Sequence, residues 1–262
     1  MTHLHECVYL FPYLFTSFVV HRNIITKIHK CVIREVHMKV IIINGSPRVN
    51  GLTASVLHSV EKKLNEGGVQ TEFYDLVRMN MAHCMGCCSC YKTGSCCIHD
   101  DAEMLSELIR EADGLVISSP TYASNVSGLM KVLIERGHFV IEQLLLGKKC
   151  VTVATGENYG NKDALKVLDN LVLYSGGQLC DHVALKAPFN DVEGAGERVE
   201  KVSSKAAKRM LSSFRAGRKP LAQRVYHFVV FRFGIKPFVL KKGDKYQGVG
   251  DRWKEAGAVK LT

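Results

Sequence analysis

Residues 38–215 alternate between short apolar runs and longer segments in which apolar residues recur at helical spacing. Lys39–Asn44 encloses a continuous apolar run, which is typical of a strand buried on both faces of a parallel sheet. Thr53–Gly67 carries apolar residues three and four positions apart, which predicts an amphipathic helix that ends at a pair of glycines. This alternation predicts an α/β domain in which helices cover a parallel sheet.

The pattern predicts five strands and five helices. The predicted strands are Lys39–Asn44, Val69–Leu76, Gly114–Ser119, Lys149–Thr155 and Gln178–Ala187. The predicted helices are Thr53–Gly67, Asp100–Ala112 with Asp100 as N-cap, Ser127–Leu146 with an interruption near Gly137, Asp163–Ser175 and Glu193–Arg215. Such alternation predicts a doubly wound sheet, whose ligands lie at the carboxyl ends of the strands. We therefore expect the loops after strands 1, 3 and 4 to carry the functional site.

Residues 1–37 do not fit this pattern. The apolar run Cys7–Val20 is shorter than the roughly 18–20 residues that a membrane-spanning helix needs, and no basic residue precedes it as in a signal peptide. We expect Met38 to be the biological start and residues 1–37 to be upstream sequence or a loose arm. An interfacial anchor and a structured addition stay open. The lack of a clear targeting segment favours the cytoplasm.

Charge is distributed unevenly along the 262 residues. The net charge is +10, yet residues 214–262 carry 12 basic and 3 acidic side chains, while residues 38–213 are nearly neutral. A nucleic-acid-binding protein is expected to carry its basic stripe on the folded body, so this distribution argues against that class. Residues 216–262 are interpreted as a basic tail.

The tail mixes basic and aromatic residues in the segment 221–233, LAQRVYHFVVFRF. We expect it to be an arm that docks on the body or on a neighbouring subunit. Two alternatives stay open: a helix on a membrane surface, and a site that attracts nicotinamide phosphates or an acidic redox partner such as a ferredoxin.

The loop after the first strand, residues 44–53, has the character of a phosphate cradle. Ser46 and Thr53 offer hydroxyl donors, Arg48 offers a charged donor, and the following helix directs its positive N-terminus to the same place. The loop matches neither the Walker motif nor the Gly-x-Gly-x-x-Gly dinucleotide motif. An ordinary strand-to-helix turn is the alternative.

Three segments in the right order give a family resemblance that covers Met38 to about Arg215. MKVIIINGSPRVNGLTASVL resembles the opening of flavodoxin-fold NAD(P)H-dependent FMN reductases, and residues 119–127 resemble their flavin-ring loop. The cysteine segment, residues 84–101, resembles the iron–sulfur flavoprotein branch of that family. Leu52 departs from the pattern because the family often has Asn there, which would add a side-chain donor.

The resemblance implies a flavodoxin-like, five-stranded parallel sheet with FMN as cofactor. It implies a phosphate held by the first loop, a flavin ring against the loop after strand 3, and a third wall after strand 4. The implied residues are Ser46, Arg48, Asn50 and Thr53 for the phosphate, Pro120, Thr121, Tyr122, Ala123, Ser124 and Asn125 for the ring, and Thr155, Gly156 and Tyr159 for the third wall. Packing of Tyr122 against the next helix is the alternative to a ring contact.

Six of the ten cysteines crowd into residues 84–97, within a loop that spans residues 81–99. Such crowding indicates metal or redox chemistry. Cys84, Cys87, Cys90 and Cys96 have the spacing Cys-x2-Cys-x2-Cys-x5-Cys, which suits the four thiolates of a [4Fe–4S] cluster. A zinc site and a metal-free thiol loop stay open. Cys150 and Cys180 lie in apolar runs, and we expect both to be buried, inert thiols.

Together these features predict an FMN-dependent oxidoreductase that passes electrons between a reduced donor, FMN and a [4Fe–4S] cluster. NAD(P)H or a ferredoxin would be the donor, and no side chain is expected to act as an acid or base. The family resemblance implies a homodimer or higher homo-oligomer. The alternatives are a cluster-free NAD(P)H-dependent FMN or quinone reductase, and a non-enzymatic flavin-binding sensor with a zinc or thiol loop.

Overall fold

Five parallel strands form one sheet in the order β2-β1-β3-β4-β5. The computed structural model describes residues 38–188, 191–217 and 220–258, so the predictions for residues 1–37 lie outside the described residues. The strands are β1 (Lys39–Asn44), β2 (Gln70–Asp75), β3 (Gly114–Pro120), β4 (Lys149–Gly156) and β5 (Gln178–Lys186). This order and direction confirm the predicted flavodoxin-like, doubly wound sheet, with each strand ending within two residues of its predicted limit.

Ten α-helices connect or follow the strands in the described residues. They are α1 (Leu52–Glu66), α2 (Ser89–Thr93), α3 (Asp101–Glu111), α4 (Gly128–Arg136), α5 (Phe139–Glu142), α6 (Asn161–Tyr174), α7 (Gly196–Ala216), α8 (Leu221–Val230), α9 (Lys236–Lys242) and α10 (Gln247–Glu255). Helices α3, α4 and α6 contribute to the core on one face of the sheet, while α1 and α7 pack together on the other. The continuous apolar runs reflect this double cover, because β3 and β4 are buried along their whole length.

The interruption predicted near Gly137 separates α4 from α5. A Cβ on Gly137 would lie 2.3 Å from the ring of Phe139, and His138 adopts a left-handed conformation with φ of 53°. These two residues redirect the chain sharply, which ends α4 after nine residues. Asp100 caps α3 as predicted, since its side chain accepts a hydrogen bond from the Ala102 amide.

The two isolated cysteines differ in their environment. Cys150 is buried in β4, as predicted. Cys180 in β5 is only half-buried, so full burial was not borne out, but burial raises the pKa of its thiol, as expected of an inert cysteine. The strand lies at an edge of the sheet, where the cover is incomplete.

The tail folds into helices α8, α9 and α10, joined by a π-helical turn at Phe231–Ile235 and a 3₁₀ turn at Gly243–Tyr246. Buried residues recur every four positions from α8 through the π-helical turn into α9: His227, Phe231, Ile235 and Val239. Four residues of an α-helix overshoot a full turn by about 40°. The wider π turn compensates for this overshoot and keeps the buried residues on one face.

Among the described residues, no helix is long and apolar enough to cross a bilayer.

Candidate functional site

The carboxyl ends of β1, β3 and β4 bring the three predicted loops together. The hydroxyls of Thr53 and Thr155 lie 2.6 Å apart, although 102 positions separate these residues. The Thr121 amide donates to the Thr155 carbonyl at 2.7 Å. Ser127, just before α4, donates through its hydroxyl to the Gly45 carbonyl at 2.6 Å. This hydrogen bond connects the loop after β3 to the loop after β1. The three loops therefore form one continuous site.

Asn44 organises the loop that follows β1. Its side-chain oxygen accepts from the Ser46 amide at 3.1 Å, and its side-chain nitrogen donates to Asp75 at 2.8 Å. The Ser46 hydroxyl in turn accepts from the Arg48 amide at 3.1 Å. Gly45 is required here, because a Cβ would lie 2.4 Å from the Ser118 carbonyl oxygen.

Helix α1 begins beside this loop without a side-chain cap. Its N-cap residue, Gly51, makes no side-chain hydrogen bond, and its first turn contains no acidic residue. Uncapped amides and the helix dipole favour an anion at such a position. Thr53 in the first turn is buried, while Arg48 and Asn50 are exposed at the rim. The donor set suits a phosphate group.

A strained turn follows β3. Tyr122 and Asn125 exchange two backbone hydrogen bonds of 2.9 Å, and the residues between them, Ala123 and Ser124, both have positive φ, 48° and 60°. These angles are typical of a type I′ turn, which usually contains Asn or Gly. Because such backbone strain occurs preferentially at ligand sites, the turn is a candidate contact for a cofactor.

The surroundings hold this turn in place. Gly160 precedes α6 with φ of 82°, and a Cβ on it would lie 2.6 Å from the Ser124 Cα. Thr121 at the base of the turn is buried, yet its hydroxyl has no hydrogen-bond partner within the described part of the chain. Since buried hydroxyls are normally satisfied, this donor calls for a polar ligand atom. Tyr122 is 47% exposed on the outer side.

The residues present at the three loops fit FMN. The β1 loop offers amides and hydroxyls for a phosphate, while the strained turn and the unpartnered Thr121 hydroxyl offer polar groups for a flavin edge. The predicted residues divide by exposure. Ser46, Thr53, Pro120, Thr121, Thr155 and Gly156 are buried, Ser124 is half-buried, and Arg48, Asn50, Tyr122, Ala123, Asn125 and Tyr159 are exposed.

The cysteine loop lines a separate cavity of about 180 Å³. All six cysteines of residues 84–97 lie on its wall, including the four predicted ligands Cys84, Cys87, Cys90 and Cys96. Among the described residues, no three His, Cys, Asp or Glu side chains are arranged to hold a metal ion. The Cys87 and Cys97 sulfurs lie 3.3 Å apart, and the Ser89 amide and the Cys97 thiol lower the pKa of Cys87.

Arg136, at the end of α4, holds both ends of the cysteine loop. Its guanidinium donates to the Ala82 carbonyl at 2.7 Å, to the Ile98 carbonyl at 3.0 Å and to both carboxylate oxygens of Asp100 at 2.9 Å. The two charged side chains are only 1% and 8% exposed. Burial alone would raise the pKa of Asp100, but Arg136 and two backbone amides outweigh burial and lower it.

Two cationic side chains therefore lie beside the thiols. Burial alone would lower the pKa of Arg136, whereas Asp100 and the thiol of Cys96 raise it. Burial would also lower the pKa of His138, but hydrogen bonds to Cys90 and to the buried Glu142 raise it to about 10. Positive charges beside a thiol stabilise its deprotonated thiolate form, which is the form that binds metals.

The tail contacts the outer side of the cysteine loop. The rings of Tyr91 and Tyr246 stack with centroids 4.7 Å apart, and Arg252 donates to the Gly94 carbonyl at 3.0 Å. Gly248 lies against the loop so closely that a Cβ would be 2.1 Å from the Gly94 amide nitrogen. The loop is thus held by Arg136 on its inner side and by the tail on its outer side.

Comparison with known proteins agrees with this geometry. Residues 38–188 match the family model of the NADPH-dependent FMN reductases. The chain belongs to this family. It is an FMN reductase-like oxidoreductase of flavodoxin-like fold, and the predicted family resemblance is confirmed.

Two relatives in this family carry the name iron-sulfur flavoprotein. One, from Clostridioides difficile, is 35% identical over 226 residues, which is 85% of this chain and 100% of the relative. Another, from Methanocaldococcus jannaschii, is 33% identical over 139 residues, which is 52% of this chain and 72% of the relative. The crystal structure of RosB with a bound riboflavin 5′-phosphate derivative has the same fold, with a TM-score of 0.57 and 17% identity over 68% of this chain and 79% of RosB.

Sequence reasoning missed three residues of this family member's site. Asn44 carried a usable signal, because a polar side chain at the carboxyl end of a buried strand needs a partner. Arg136 and His138 carried none, since each is an ordinary residue near a helix end. Arg136 and His138 matter for the site because the fold places the cysteine loop beside them.

Proposed function

We propose that this FMN oxidoreductase holds FMN at the three strand-end loops and a [4Fe–4S] cluster at the cysteine loop. Electrons would pass between a reduced donor, FMN and the cluster, with NAD(P)H or a ferredoxin-like protein as the donor. The observation that carries the proposal is that Cys84, Cys87, Cys90 and Cys96 line one cavity beside two cationic side chains. The iron-sulfur flavoprotein relatives add support.

The roles of the chain's own residues follow from their positions. The amides of the β1 loop and the Thr53 hydroxyl would bind the phosphate, and the strained turn at Ala123 and Ser124 would orient the ring. The buried Thr121 hydroxyl would donate to a polar atom of the ring. When bound, FMN supplies two-electron exchange with a nicotinamide and one-electron exchange with an iron–sulfur cluster.

The cysteine loop offers the right chemistry for a cluster. Thiolates are the usual ligands of iron–sulfur centres, and Arg136 contributes a permanent positive charge beside Cys96. The tail supports the loop from one side through Tyr246 and Gly248. We further propose a homodimer or higher homo-oligomer, in which the flavin of one subunit lies near the cluster of its neighbour.

The decisive experiment is anaerobic purification followed by an absorbance spectrum and analysis of flavin, iron and sulfide. We expect FMN together with about four irons per chain. Cys84→Ser should lose the iron and retain FMN. Cys88→Ser is the matched control, because it removes an equally exposed thiol from the same loop and should retain both cofactors. Full iron content in Cys84→Ser would refute the ligand assignment.

One observation favours a second candidate, a cluster-free NAD(P)H-dependent FMN or quinone reductase. The 3.3 Å approach of Cys87 and Cys97 is compatible with a thiol pair in place of a metal site. Under this alternative the anaerobically purified protein would contain flavin without iron or sulfide. Steady-state NAD(P)H oxidation would then be unaffected by Cys84→Ser.

A further inference from the structure

The tail presents an apolar face to solvent. While His227, Phe231, Ile235 and Val239 are buried, α8, the π-helical turn and α9 also carry large apolar side chains that are exposed. Phe233 is 70% exposed and Leu240 is 64% exposed. The other members of this face are Leu221, Val225, Phe228 and Val229. We call these six residues the apolar face. The Phe228 and Phe233 rings lie edge to face with centroids 6.4 Å apart, and a cluster of exposed apolar side chains of this kind is typical of an interaction site.

The segment that carries the apolar face is basic. Residues 221–242 include five Lys and Arg residues and no Asp or Glu. The Arg232 guanidinium lies 5.8 Å from the centre of the Phe233 ring, and the Lys242 ammonium lies 5.3 Å from that of Phe238. Basic groups are thus placed directly beside the exposed rings.

From these two observations we propose that the apolar face docks on an anionic membrane surface. Helices that lie in the bilayer interface combine aromatic and aliphatic residues with Lys and Arg in this way, and anionic headgroups attract each basic residue. Charge complementarity favours lipid over a second copy of the chain. A two-fold contact through this face would bring together two surfaces that both carry the positive charges of Arg232, Lys241 and Lys242.

The body holds the docking face in a fixed orientation. The Phe231 and Trp253 rings pack edge to face with centroids 5.0 Å apart, and the Trp253 indole donates to the Ile141 carbonyl at 2.7 Å. Helix α10 also contacts Gly94 in the cysteine loop, so the tail that carries the face is attached to that loop. The proposal concerns a surface that includes neither the flavin loops nor the thiols, so its test is separate from that of the proposed function.

The test is co-sedimentation of the full chain with lipid vesicles. One set contains equimolar phosphatidylglycerol and phosphatidylcholine, and the other contains phosphatidylcholine alone. We expect about tenfold more binding to the anionic vesicles, and loss of most of that binding near 1 M salt, where the Debye length falls to about 3 Å. Equal binding to both sets, or no binding to either, would overturn the proposal.

Four variants separate the contributions. Phe233→Ser removes an exposed ring, and Lys241→Gln with Lys242→Gln removes two charges. Met104→Ser and Lys205→Gln with Lys208→Gln are the matched controls on exposed parts of the body. Both tail variants should bind anionic vesicles several-fold less, while both controls bind as the unmodified chain. Thermal unfolding of each variant verifies that the fold is intact.

Two further results would contradict membrane docking. If only the charge variant loses binding, the apolar face does not enter the interface. If sedimentation velocity without lipid shows a dimer that Phe233→Ser dissociates, a second copy of the chain occupies the face.

Discussion

Replacement of Arg136 by Met tests whether one buried side chain holds the cysteine loop. The change removes a guanidinium that donates to two loop carbonyls and to both oxygens of Asp100. Methionine fills much of the same volume but leaves the Asp100 carboxylate without its counter-charge. Breaking one side of a buried ion pair costs about 3–5 kcal/mol. For a chain of this size, that loss corresponds to a fall in Tm of about 6–20 °C.

Trp253 provides the readout. It is the single tryptophan of the chain, and it lies in the tail that contacts the loop. Urea unfolding followed by its fluorescence should show a lower midpoint for Arg136→Met. The matched control is Lys131→Met on the same helix, because its ion pair with Glu135 is exposed and contributes less than about 1 kcal/mol. An Arg136→Met midpoint equal to that of Lys131→Met would refute the reasoning.

The same ion pair predicts a pH dependence. The pKa of Asp100 is lowered in the folded state, so its contribution is complete above the ordinary aspartate pKa of about 3.9. It is lost as the pH falls through the lower, folded-state pKa. The stability difference between the unmodified chain and Asp100→Asn should therefore be constant above about pH 5 and shrink in acid. A difference that persists unchanged in acid would show that the charge is not the cause.

Three further substitutions test other parts of the structure. Gly45→Ala places a Cβ 2.4 Å from the backbone of β3, so FMN affinity measured by flavin fluorescence should fall. Gly128→Ala is the control, because its Cβ meets no neighbouring atom and FMN affinity should be unchanged. Gly248→Ala places a Cβ 2.1 Å from the cysteine loop and should displace the tail. Displacement would be detected as a red shift of tryptophan fluorescence. Gly250→Ala is the control and should cause no shift. Ala123→Gly relieves a positive φ and should raise Tm by about 1–4 °C; a lower Tm would show that the turn is not strained.

The strand-end loops could be predicted from the sequence because their signals are local. The continuous apolar run Lys39–Asn44 indicates a strand buried on both faces. Asp100 indicates the start of a helix because its side chain can accept a hydrogen bond from an amide of the first turn. In a parallel sheet the carboxyl ends of adjacent strands meet, so local signals were enough to bring the loops after β1, β3 and β4 into one site. Thr121 and Thr155 themselves were implied by the family resemblance, and the structure places both beside each other in that site.

The support of the cysteine loop could not be predicted in this way. Arg136 lies 54 positions from Ala82, and Gly248 lies in a tail helix far along the chain from Gly94. No periodicity or spacing links residues at such distances. These residues come together only when α4 and the tail pack in the folded state. Short-range sequence patterns do not predict that packing.

The contact between the tail and the cysteine loop has a thermodynamic consequence. Gly94 and Gly248 meet backbone to backbone, so the docked tail accepts only a narrow range of loop shapes. Any ligand that favours this loop shape strengthens docking of the tail, and by reciprocity the docked tail tightens that ligand by the same factor. For such a ligand the tail and the cysteine loop would be coupled sites, and a partner that displaces the tail would weaken binding of the ligand to the loop.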